Sequence, residues 1–245
     1  DMGNQGIHQM DIARWFLGEM TVSPRVASVG GRLGYEDAGN TPNSQVVFHD
    51  YEAAPLIFET RGLPKSDLDW SNGMDNYRGS RIGVIVQCEQ GYVVIPNYYS
   101  ADVYTNDGPH VQQFTAEGNT LGRHHANFIE AVRAHDKGLL NAEVLDGHLS
   151  SALCHTGGIS HQIGALAPRE EIAQKLQDNE RYADSFNRLA DHLAANGIDI
   201  EDSTMTLGPW LEMDVETERF VGAEGANALL TRDYRAGYVV PDASA

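Results

Sequence analysis

Cysteine is nearly missing from this chain of 245 residues: Cys88 and Cys154 lie in unrelated segments without C-x-x-C spacing. That excludes a disulfide framework and a four-cysteine zinc site, and two reduced, buried thiols are expected. Positive charge is scarce too, with 17 Lys and Arg against 35 Asp and Glu and a formal charge of -18. Such a field repels phosphate backbones and anionic membrane surfaces, so no nucleic-acid partner is expected. The lysines are Lys65, Lys137 and Lys175, few candidates for a mechanism that needs an ammonium near a reacting carbonyl. No apolar run approaches the roughly 20 residues of a bilayer-spanning helix, so a membrane protein is not expected. Walker, G-x-S-x-G and H-E-x-x-H motifs are all missing. Val29-Gly30-Gly31-Arg32-Leu33-Gly34 fails the G-x-G-x-x-G spacing, because Arg32 stands where the second glycine would be needed.

What the chain does contain is an ordinary globular composition, 41% hydrophobic with 25 glycines. Its hydrophobic period changes twice. A helix is expected from Ile7 to Leu17, stopped by Gly18. From Arg25 to Thr115 short Val-, Ile-, Phe- and Tyr-rich runs predict strands at Arg25–Leu33, Gln45–Tyr51, Pro55–Arg61, Arg81–Cys88, Tyr92–Pro96 and His110–Phe114. Turns at Glu89-Gln90-Gly91 and at Asn106 to Pro109 make neighbours antiparallel hairpins. Gly62–Ser80 is too polar for a core and reads as a long loop that could cover a site. Helical spacing then returns: a helix following His124 and His125, one capped by Asn141 and carrying Leu145, Leu149 and Leu153, and more between Pro168 and Ala195. The tail from Leu207 to Pro241 is apolar enough to pack on the body. Helix, antiparallel strands and helices together predict an α+β fold, an open, mainly antiparallel sheet with helices on one face, not a doubly wound nucleotide fold.

The first helix gathers polar chemistry on one side. At about 100° per residue, Asn4, His8, Asp11 and Trp15 form one stripe, and Met10, Ala13 and Leu17 another. A histidine three residues before an aspartate can be held in one tautomer and shuttle a proton from its other nitrogen. A capped helix start with a structural His–Asp pair fits the same spacing. His124 and His125 have two readings, lining a cleft against substrate or serving as structural hydrogen bonders. His148 and His155 share a helical face but stand roughly 10 Å apart along the axis, too far for one ion, so no metal is expected. Tyr92, Tyr98, Tyr99 and Tyr104 suit either sugar stacking or a half-buried sheet face.

The opening Gly3-Asn4-Gln5-Gly6-Ile7-His8-Gln9-Met10-Asp11-Ile12-Ala13-Arg14-Trp15 resembles the entry into the C-terminal domain of Gfo/Idh/MocA-type oxidoreductases, the glucose–fructose oxidoreductase and inositol dehydrogenase family. His125 to Arg133, Asn141-Ala142 and Gly147 to His155 agree with it, and Leu207-Gly208-Pro209-Trp210-Leu211 is similar to a bacterial subgroup. The resemblance covers essentially the whole chain. It implies that residues 1-245 form a substrate-binding and oligomerisation domain, with NAD or NADP bound mainly by a Rossmann domain not contained in this chain. A chain opening at Asp1 directly in an organised motif is also what a processed or truncated protein would give.

Within the resemblance, the family's Asp-x-x-x-His pair falls on Asn4 and His8, so a carboxylate is replaced by an amide that still hydrogen-bonds a hydroxyl. His8 is then the proton carrier, Asn4 and Asp11 its catalytic companions, and His124 and His125 candidates for substrate binding. The family's Glu-Lys-Pro lysine has no counterpart, since Lys65 in Leu63-Pro64-Lys65-Ser66 does not match it. The implied activity is NAD(P)-dependent oxidoreduction of a sugar, polyol or related carbohydrate by the full-length protein, with this chain alone inactive, and the implied assembly is a homo-oligomer paired through the sheet face. The alternatives are an NAD-assisted glycoside hydrolase or lyase of the same fold, and a non-catalytic carbohydrate-binding or assembly module.

Overall fold

The structure is a computed structural model describing residues 1–202 and 204–241. A π-helical turn, Met2–Gly6, leads into α1 (Ile7–Leu17). Three strands follow, β1 (Arg25–Gly31), β2 (Ser44–His49) and β3 (Leu56–Arg61), then a four-strand meander of β4 (Val84–Gln87), β5 (Gly91–Asn97), β6 (Ser100–Thr105) and β7 (His110–Thr115). The second half carries α2 (Thr120–Ala134), α3 (Val144–Gln162), β8 (Ala165–Ala167), α4 (Arg169–Leu176) and α5 (Glu180–Ala195). It closes with β9 (Met205–Leu207), β10 (Leu211–Asp214), β11 (Arg219–Phe220) and α6 (Glu224–Ala228).

Two open antiparallel sheets result, and the fold class is α+β as expected. The larger runs β11-β10-β1-β2-β3, with β9 pairing the far end of β1 and β8 pairing β9. The smaller is the meander β4-β5-β6-β7. Every strand pair is antiparallel, so no doubly wound parallel sheet is present among the described residues.

The helices depart from the one-face expectation at the larger sheet. Val26 of β1 and Val47 of β2 join a core with Met10 of α1 and Leu149 and Leu153 of α3. Their neighbours Ala27, Val29, Val46 and Phe48 point the other way, into a core with Ile172 of α4 and Phe186, Leu189 and Leu193 of α5. The physical reason is that β1 and β2 carry apolar side chains on both faces, Val26 and Val47 on one and Ala27, Val29, Val46 and Phe48 on the other. A strand with two apolar faces needs cover on each.

Several boundaries shift for local reasons. His124 and His125 lie inside α2 rather than before it, because Asn119 caps the helix by accepting from Gly122 N at 2.8 Å. Glu143, not Asn141, caps α3, and Asn141 instead donates its N–H to Asn127 Oδ1 at 3.0 Å. The loop 62–80 is tied down near its start. Asn196, just past α5, donates to Pro64 O and accepts from Leu68 N, both at 2.9 Å, which straps the loop to the end of α5. The tail packs through Trp210, which stacks near Tyr182 and under Arg25, but residues 231–241 are exposed. No helix among the described residues is long and apolar enough to cross a membrane.

Candidate functional site

The start of α1 is placed by a close approach that only glycine permits. A Cβ on Gly6 would stand 2.6 Å from the Phe58 ring of β3, so the chain enters the helix pressed against that ring. At the other end Gly18 adopts φ 71° and Glu19 N bonds back to Arg14 O, a left-handed termination. Met10 is buried between these points, and Ala13 and Leu17 pack against the same core. The opposite stripe faces solvent, with His8 and Asn4 exposed.

His8 meets the turn between β5 and β6. Its ring lies edge-on to Tyr98, centroids 6.0 Å apart at 72°. Gln5 Nε2 donates to the Tyr98 hydroxyl at 2.9 Å and to Gln9 Oε1 at 3.2 Å. No side chain among the described residues hydrogen-bonds the imidazole of His8 or the amide of Asn4, so both remain open to a ligand. The arrangement is a shallow polar wall of His8, Asn4, Gln5 and Tyr98, equipped to bind hydroxyls and exchange a proton.

Asp11 does not hold His8. Its Oδ1 accepts from Ser150 Oγ of α3 at 2.5 Å and from Arg14 Nη2 at 3.4 Å. Arg14, 1% exposed, also donates to Asp146 Oδ1, Ser150 Oγ and Glu19 O. Asp11 thus belongs to an anchor between α1 and α3 rather than to a His–Asp relay.

His124 and His125 sit together on α2, ring centroids 5.9 Å apart and both exposed. His125 borders an open depression with Ile129, Glu130 and Arg133 of the same helix, and no described hydrogen bond or ring contact joins either histidine to His8. Nor do the four tyrosines form one platform. Tyr92 and Tyr104 stack on each other at 5.1 Å, Arg78 covers the free side of Tyr92 at 3.8 Å, and His110 sits edge-on to Tyr104. Those faces are occupied, whereas Tyr98 stands on the turn beside His8. Tyr98 is the residue that sequence spacing could not bring to the site, for nothing local marks a contact between positions 8 and 98.

No group of three or more metal-capable side chains exists among the described residues; His148 is paired with Glu218 at 2.7 Å, not with His155. Cys154 is buried and burial pushes its thiol up to about 11, the behaviour of a core sulfhydryl, while Cys88 is exposed, contrary to the expectation of two buried thiols. Gly30 and Gly31 are strand residues: a Cβ on Gly30 would fall 2.3 Å from Ser44 O, so the glycine serves close strand pairing. Among the described residues no glycine-rich turn opens a helix behind a parallel strand.

No family model matches the chain, and no curated protein does. Among solved structures, one provisionally described as an oxidoreductase from Klebsiella pneumoniae is similar at 14% identity, covering 61% of this chain and 43% of that one with a TM-score of 0.41. A second, described in the same way and from Bacteroides fragilis, is similar at 14% identity over 62% of this chain and 47% of that one, TM-score 0.38. The chain thus spans less than half the length of either structure.

Proposed function

We propose that this chain is the substrate-binding part of an NAD(P)-dependent oxidoreductase acting on a sugar, polyol or related carbohydrate, with His8 as its proton carrier. The observation that carries the reading is the state of His8: exposed at the start of a helix anchored at both ends, uncommitted to any protein partner, and flanked by hydroxyl- and amide-bearing side chains. Oxidising a secondary alcohol releases a hydroxyl proton, and a histidine beside the reacting oxygen takes it up or returns it in reduction. Asn4, one helical turn before His8, orients that hydroxyl without supplying charge. The dinucleotide would be held by a domain outside this chain.

Assembly through the smaller sheet belongs to the same reading. Val86, Val93 and Val103 are cross-strand neighbours on one half-exposed face, continued by Phe114, an apolar surface suited to a second copy.

The test is cofactor retention followed by turnover. Protein expressed from its complete reading frame is denatured and the supernatant assayed for NAD(H) and NADP(H), then the folded protein is screened with carbohydrates. Bound dinucleotide, with activity that His8→Ala lowers by about 100-fold or more, is the expected result. Absence of both dinucleotide and hydride transfer overturns it.

A further inference from the structure

We infer that Tyr98 is a ligand-contacting residue of the His8 site, donating its phenolic proton to the oxygen next to the one His8 handles; this rests on the reading of His8 above. The ligand class that follows is a polyol with vicinal oxygens, rather than an isolated alcohol.

The argument begins with hydrogen-bond capacity. A phenol has one proton to give and lone pairs to accept with. The Tyr98 oxygen accepts from Gln5 Nε2 at 2.9 Å, and the second hydrogen of that amide goes to Gln9 Oε1 at 3.2 Å. Gln5 therefore presents only a donor to Tyr98. The phenolic proton has no acceptor among the described residues and is free to point outward.

Position supports the same use. Tyr98 is 54% exposed, yet its turn is well tied: Tyr99 N donates to Asn97 Oδ1 at 2.8 Å, Asn97 Nδ2 to Ser100 Oγ at 3.0 Å, and Ala116 N to Tyr99 O at 2.7 Å. A large aromatic held out on a rigid turn, edge-on to an unpaired imidazole, presents a donor and a proton carrier on adjoining walls. Vicinal oxygens are the ligand groups that engage both walls at once; a single hydroxyl engages one. Tyr92 and Tyr104 are unsuited to the task, because their faces are spent on each other and on Arg78.

The test compares two ring ligands that differ in vicinal oxygens. Binding of myo-inositol and of cyclohexanol to the chain is followed by NMR titration for the wild type, Tyr98→Phe and His8→Ala. Tyr98→Phe keeps the ring against His8 and removes only the hydroxyl, so it is expected to weaken myo-inositol about three- to tenfold and leave cyclohexanol unchanged. Gln5→Met, which releases the phenol to rotate, is a second variant expected to weaken myo-inositol in the same direction. Unaltered myo-inositol affinity in both variants, with His8→Ala still weakening it, overturns the role of Tyr98 and leaves the His8 reading standing. A wild type that binds none of myo-inositol, D-glucose and D-xylose overturns that reading, and this inference with it.

Discussion

Asp11 of α1 accepts the Ser150 hydroxyl of α3 at 2.5 Å, and this contact joins two helices that the sequence separates by 139 positions. Around it Arg14 is buried with bonds to Asp11, Asp146, Ser150 and the Glu19 carbonyl. The aspartate that spacing suggests as a partner for His8 is thereby spent on holding the helix that carries His8. His8 is left without a carboxylate partner while its backbone is fixed.

Removing Arg14 should be costly for that reason. Arg14→Ala removes a side chain that is itself buried and takes the shared partner from Asp11 and Asp146, which solvent still reaches, so the loss is expected to be about 2–3 kcal/mol. Asp11→Ala, at a position 30% exposed in its side chain, is expected to cost less, about 1–2 kcal/mol. Urea unfolding of both variants checks the order. An Arg14→Ala protein as stable as the wild type would show that the anchor does not form.

Acid sensitivity should come from buried histidines. His49 lies opposite Val26 and Leu56 with both ring nitrogens buried and unpaired, and burial pushes it down to about 3 from 6.5. Burial also lowers His161, and it lowers His192 against the opposing pull of Asp75 at 3.4 Å. Between those pH values the unfolded chain binds more protons than the folded one. Stability is therefore full above about pH 6.5 and falls as pH drops toward 3, by up to about 1.4 kcal/mol per pH unit for each fully shifted histidine. His49→Leu removes an unpaired polar group, so it is expected to be neutral or stabilising near about pH 7 and to flatten the decline below it. Denaturant midpoints of both proteins at about pH 7 and about pH 5 give the comparison; parallel declines would remove His49 as a source of the sensitivity.

How much of this was legible in the sequence follows from how local each signal is. Helix α1 has the expected bounds because Met10, Ala13, Leu17 and Gly18 specify it within a few residues. β6, by contrast, escapes strand reading: all six of its residues are half-buried, so no clean alternation marks it, and β8 to β11 are only two to four residues long. In β2 the consecutive apolar residues Val46-Val47-Phe48 point to two-sided burial, but a run does not say what covers each face, and the burial of Ser44, Gln45 and His49 beside them is not visible in the sequence. At the site, His8 and Asn4 were legible from a helical stripe. The Ser150 contact of Asp11 and the Gln5 contact of Tyr98 were not, because each is assembled by tertiary packing across 139 and 93 positions, which no sequence period encodes.

Gly6 offers the sharpest check on how α1 is seated. Replacing glycine by alanine inside a helix ordinarily stabilises it by about 1 kcal/mol. Here the added methyl would meet Phe58 at 2.6 and 2.8 Å, and Phe58 is itself buried, so the ring must move or the helix must lift. Overpacking of this kind costs about 1–3 kcal/mol, which outweighs the propensity gain. Gly6→Ala is therefore expected to destabilise the protein, and Phe58→Leu, which withdraws the ring edge, to reverse much of that loss when the two are combined. A double-mutant cycle measured by chemical denaturation should return a favourable coupling of about 1–2 kcal/mol. Additive effects would mean that α1 does not rest on β3 at this point, and the anchor through Arg14 would then have to position His8 without help from the glycine.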